Sequence, residues 1–172
     1  ICSIVKAENT TLSVGTYITY GKKTNGSDYR TGYYGTTGFT GNAYCIMPGV
    51  DGATGSFNSI DVDSTEFENI AISYHQGPYD TTSREYEKAL IMLKYVLYHG
   101  PTGPGWGDEP TGLDYQGYLD DACEHIYSGG CTTTNQYYAV NHVVLSYIMQ
   151  QYFSWNKAYG EDSNASWSSN IQ

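Results

Sequence analysis

Lysine and arginine are scarce in this sequence: 8 residues against 18 aspartates and glutamates, for a formal net charge of −10. A chain so poor in cations cannot neutralise a row of phosphates, which excludes nucleic acid as its partner. The same balance disfavours an anionic membrane surface. No apolar run reaches the roughly 18 residues that a spanning helix needs, so the sequence predicts no membrane insertion by this domain. Metal-site spacing is missing too. The four cysteines, Cys2, Cys45, Cys123 and Cys131, form no C-x-x-C, and no two histidines stand at metalloprotease spacing. Asp61, Asp63 and Glu66 lack the glycine and the closing glutamate of an EF-hand loop. No metal and no cofactor are expected.

What replaces the charge is Gly (20 residues), Tyr (19 residues) and many small hydroxyl and amide side chains. Tyrosine-rich, lysine-poor surfaces are commoner outside cells than inside them. Aromatics at 15% supply enough burial to argue against disorder, and 172 residues suit one domain with a real core. The start, Ile1-Cys2-Ser3-Ile4-Val5-Lys6-Ala7, reads as the tail of an export signal, because Val5-x-Ala7 is a small-residue cleavage pattern. An ordinary first strand is the other reading. The expected organisation is a signal remnant over 1–7, one domain over 8–155, and a linker over 156–172. If Cys2 is lost on maturation, Cys123 and Cys131 are left close enough to pair across a Gly129-Gly130 turn, and Cys45 is left over.

The periodicity changes along the chain. Thr11 to Tyr20 alternates β-branched and aromatic residues with small polar ones, and Asn25-Gly26 supplies a turn. Ala43-Tyr44-Cys45-Ile46-Met47, stopped by Pro48-Gly49, has the form of a buried strand. Phe67 to Tyr74 suits a further strand or a short helix. From Thr82 the pattern turns helical. Thr82 and Glu85 make a capping-box pair, Tyr86, Ala89, Leu90, Leu93, Val96 and Leu97 recur at helical spacing, and Gly100-Pro101 stops the helix. A second helix is expected over 115–127 and a last, central one over 135–153. The predicted fold class is therefore α+β: a β-rich half, with strands over about 11–75, packed on a helical half over about 83–155.

Two residues stand out chemically. Cys45 is a thiol without a mate, although most lone cysteines are simply small buried hydrophobes. His142 lies in the central helix with Asn141 beside it and Ser146 four residues on; most helical histidines are packing residues. A cysteine from the β half facing a histidine from the helical half is the layout of a Cys–His nucleophile pair, which suits a hydrolase or transpeptidase. Trp106, Trp155, Trp167 and the tyrosines offer rings for a carbohydrate-binding module, a signal of low specificity.

The order of these features resembles the thioester domains of Gram-positive bacterial surface adhesins, from about residue 11 to 155. The resemblance rests on Ala43-Tyr44-Cys45-Ile46-Met47-Pro48-Gly49, on a helix ending Leu93-Lys-Tyr-Val-Leu-Tyr-His-Gly100, and on Asn141-His142-Val-Val-Leu-Ser146-Tyr147 in the late helix. In that family an aromatic-Cys-aliphatic strand and a Gln in a late helix form an internal thioester that host amines open. The resemblance implies a secreted, cell-wall or cell-surface adhesion domain, a monomer within a longer surface protein. Its partner would be a host surface protein or a polyamine-type amine ligand. Cys45 matches the thiol half of the motif. Thr-Gln falls on Asn141-His142, where imidazole cannot form the thioester, and the nearest glutamine is Gln136. Three outcomes follow: Gln136 as acyl donor, non-covalent binding, or a reactive Cys45–His142 pair supported by Tyr44, Asn141 and Ser146.

Overall fold

A computed structural model describes residues 10–22, 26, 28–37, 44, 55–57, 65, 68–69, 80–101, 103–108 and 112–152. The expected signal remnant at 1–7, the linker at 156–172, and both Cys2 and Cys45 lie outside these residues. The described chain is α+β. Strand β1 (Thr10–Lys22) pairs antiparallel with β2 (Asp28–Thr37) and, at its start, with the short β3 (Gly55–Phe57), giving the order β2-β1-β3. Lys22 faces Asp28 and Thr11 faces Thr37, with register shifts between Val14 and Tyr17 and between Thr19 and Gly21. Alternation does its work here: Ile18 and Tyr20 are buried, while Tyr17 and Thr19 are exposed. Arg30 of β2 lies over the exposed Tyr17 ring.

The expected run of β structure to about residue 75 needs correction, because Thr65, Glu68 and Asn69 are helical. Glutamate and asparagine are poor strand formers, and Thr65-x-x-Glu68 carries the Ser/Thr-x-x-Glu pattern common at helix starts.

Three helices follow: α1 (Arg84–His99), α2 (Tyr115–Ile126) and α3 (Thr134–Tyr152). The cap of α1 is Ser83, whose Oγ accepts from Tyr86 N at 3.2 Å, and not Thr82. Thr82 is taken up by the preceding turn, donating its N–H and its hydroxyl to Asp80 Oδ1 at 2.9 and 2.6 Å. Those two bonds hold the Asp80 carboxyl below its usual range. Tyr86, Ala89, Leu93 and Val96 form the buried stripe of α1; Leu97, one position off that stripe, is exposed. Asp114 caps α2 by accepting from Gly117 N at 2.8 Å.

The late helix is central, as its apolar pattern predicts. Every residue from Tyr138 to Ser146 is buried. Val140, Val144, Leu145 and Ile148 join α1 and α2 in the larger apolar cluster, with Leu93, Leu119 and Cys123. Tyr138, Ala139 and Val143 meet Ile18 and Tyr20 of β1 in a smaller one.

Between α2 and α3, Cys123 and Cys131 are bonded in a disulfide with alpha-carbons 5.2 Å apart. The loop turns back through Gly129 and Gly130, at φ +88° and +79°, a region that side chains disfavour. Tyr127, inside the loop, donates to Thr19 O at 2.9 Å and so ties it to β1. The Cys123→Ala/Cys131→Ala double variant is expected to lose about 2.5 kcal/mol, the chain entropy of so short a loop. Urea denaturation of both proteins checks this, and an unchanged midpoint would contradict it.

Candidate functional site

The first turn of α3 decides what Gln136 does. Gln136 N donates to Thr133 Oγ1 at 3.3 Å, and Gln136 Oε1 accepts from Thr133 N at 3.1 Å. That reciprocal exchange is a capping box, with two otherwise orphaned donors satisfied at once. The same oxygen accepts from Thr132 N at 2.8 Å and from the hydroxyls of Thr132 and Thr133 at 3.1 and 3.3 Å. The carboxamide considered as an acyl donor is thus the N-terminal cap of the helix.

Two residues further on, the site begins. Tyr44, the residue before Cys45, stacks on Tyr138 with ring centroids 4.4 Å apart and planes 12° from parallel. Its hydroxyl donates to Pro101 O at 3.2 Å, where the loop leaves α1. Offset stacks of this kind add roughly 0.5–1.5 kcal/mol beyond the area they bury. Tyr138 and His142 are four residues apart and therefore neighbours on one face of α3. Cys45 itself lies outside the described residues.

His142 is buried, with its ring 5.5 Å from that of Tyr20 in β1. Its Nδ1 has no hydrogen-bond partner among the described residues. Burial alone pushes its pKa down to about 4, so the imidazole is neutral at pH 7. A histidine in this state cannot stabilise a thiolate as a cation does, and it is a weak base. Ser146 is buried one turn further along.

Asn141 faces another way. Its Oδ1 accepts from Tyr115 OH at 2.6 Å, while its Nδ2 is buried without a partner. Gly100 approaches so closely that a methyl group there would fall 2.5 Å from Nδ2. Asn141 therefore knits the end of α1 and the start of α2 onto α3, and His142 meets the sheet. The two neighbours in sequence serve different joints. Sequence reasoning missed Tyr115, Tyr20 and Gly100 in these roles. Only the glycine left a signal, and it read as a helix stop.

Around the loop after α1, Trp106 meets Tyr137 edge-on at 5.9 Å, and Tyr137 OH donates to Asp120 Oδ1 at 2.6 Å. Among the described residues no group of three His, Cys, Asp or Glu is placed to hold a metal ion, and no helix is long and apolar enough to cross a membrane. The chain matches no protein-family model, no curated protein and no solved structure.

Two substitutions separate these roles. Gln136→Ala removes the glutamine half of the capping box, while Thr133 Oγ1 still accepts from the N–H of residue 136, and is expected to cost about 1 kcal/mol. Tyr115→Phe strands a buried carbonyl oxygen on Asn141 and is expected to cost about 1–3 kcal/mol. Urea midpoints measure both, and a larger loss for Gln136→Ala than for Tyr115→Phe would reverse the assignment.

Proposed function

We propose that the chain is an attachment domain of the thioester-domain type, secreted and anchored at the bacterial cell wall or cell surface, that holds a host surface protein or polyamine-type amine ligand beside its Tyr44–Cys45 segment. The observation that carries this reading is the Tyr44–Tyr138 stack. It joins the residue before Cys45 to the face of α3 that also bears His142. The disulfide suits an exported protein, since such bonds persist where thiols are oxidised.

The chemistry favoured by the described residues is binding rather than turnover. Gln136 Oε1 is held by Thr132 and Thr133, which leaves the carboxamide little freedom to meet a thiol. A hydrolase or transpeptidase built on Cys45 and His142 needs a base poised near the working pH, and burial has moved this imidazole far below it. Attachment without an internal thioester is the form that remains.

Intact mass tests the chemistry. A Gln–Cys thioester removes one ammonia, about 17 Da; methylamine opens it by adding about 31 Da, giving the glutamine N-methylamide and a free thiol, about 14 Da above the unmodified chain. The expected mass shows only the loss of about 2 Da from the disulfide, with no response to methylamine. A methylamine-sensitive deficit of about 17 Da would instead make the attachment covalent. Iodoacetamide labelling of Cys45 should follow an ordinary thiol, with a midpoint near pH 8.5. Labelling well below that pH, shifted upward by His142→Ala, would restore the reactive pair. Attachment itself is read as saturable binding of the labelled domain to host cells, reduced in Tyr44→Ala. Absence of saturable binding by the unsubstituted domain would overturn the reading.

A further inference from the structure

The two apolar clusters of this chain are unequal. The larger joins α1, α2 and α3, and the Cys123–Cys131 bond closes it. The smaller joins β1 to α3 through Ile18, Tyr20, Tyr138, Ala139 and Val143. A hydrogen bond from Tyr127 to Thr19 O crosses the same joint, but at an exposed position where water competes for it.

His142 sits against that joint, 5% exposed, in ring contact with Tyr20. The titratable group that faces it from β1 is the Tyr20 phenol. The charged residues of β1 and β2 whose side chains are described, Asp28 and Arg30, are exposed. Helices α1 and α2 meet α3 mainly through Val140, Val144, Leu145 and Ile148, and from the end of α2 the apolar Ile126 packs against the smaller cluster. On α3 itself, one turn before His142, Tyr138 carries the stacked Tyr44. A proton added at the buried Nδ1 would meet no acceptor among the described residues. A buried charge without a partner is among the most costly features a fold can hold.

We propose that the sheet–α3 joint is an acid-opened hinge, in which protonation of His142 releases β1 and β2 from α3 while the disulfide-closed helical core stays folded. This rests on the joint alone and is independent of what Cys45 does. The sign follows from proton linkage. In the opened form His142 has the ordinary value of 6.5, and in the closed form it resists protonation until about pH 4. Between those values the open form holds the extra proton, so opening grows as pH falls, by up to about tenfold per pH unit for one proton. Above pH 6.5 the joint is insensitive to pH. Opening bares Tyr138, Ala139 and Val143, the α3 face on which Tyr44 is stacked.

Hydrogen exchange read by mass spectrometry between pH 7 and pH 4.5, corrected for intrinsic exchange rates, tests the hinge. Peptides of β1 and β2 are expected to lose protection by about tenfold per pH unit below 6.5, while α1 and α3 keep theirs. His142→Leu should abolish that loss, and His125→Gln, at an exposed position, should leave it unchanged. Simultaneous loss from sheet and helices, an unprotected sheet at pH 7, or unaltered pH dependence in His142→Leu would overturn the hinge. If His142→Leu does not fold, the Cε1–H resonance of His142 in the unsubstituted protein decides. It should titrate in step with loss of β1 protection; titration near pH 6.5 with the sheet still protected would overturn the proposal.

Discussion

The structure depends on one helix that has no solvent face through its middle. From Tyr138 to Ser146 every side chain of α3 is buried, although Asn141, His142 and Ser146 are polar. Such a helix cannot stand alone. Its polar groups have to be met from outside, and the directions in which they are met set the layout of the domain. Tyr115 reaches in from α2 to the Asn141 carbonyl, Gly100 gives up its side chain to let the end of α1 approach, and Tyr20 of β1 covers the His142 ring. The apolar residues between them divide accordingly, Val140 and Val144 toward the helices, Ala139 and Val143 toward the sheet.

Much of this was legible in the sequence because the periods are strong. The helices fall where the three-to-four spacing of Tyr86, Ala89, Leu93 and Val96 and the largely apolar run from Tyr138 to Ile148 put them. The alternation through Ile18 and Tyr20 identifies β1 and its buried face. Local rules failed where two residues competed for one role. Thr82 and Ser83 both suit a helix cap, and the hydrogen bonds of Thr82 to Asp80 leave the cap to Ser83. Leu97 has the right residue type for the core but stands one step off the stripe. Residues 65 and 68–69 are helical, and in the stretch Phe67 to Tyr74 the sequence leaves both a strand and a short helix open.

The candidate site was less legible, and for a physical reason. A side chain's chemistry depends on its neighbours in space, which spacing along the chain does not reveal. Gln136 has the functional group an acyl donor needs, yet its place at the third residue of a helix behind Thr132-Thr133 makes it a cap. His142 has the functional group a base needs, and its burial holds the imidazole down to a pKa of about 4, which spacing along the chain does not show. Tyr44 could be named from the sequence only as a residue beside Cys45. Its stack on Tyr138 gives that segment a fixed address on the helix.

The position of the disulfide has a consequence for how the protein matures. Cys131 lies one residue before Thr132-Thr133, the pair that opens α3 together with Gln136. Closing the bond brings the start of the central helix to the end of α2, so the delivery of α3 to its place is secured by a covalent reaction. While the thiols stay reduced that delivery relies on diffusion of the loop alone. The bond thereby restrains the core only where thiols are oxidised, and a chain held in a reducing compartment lacks that restraint.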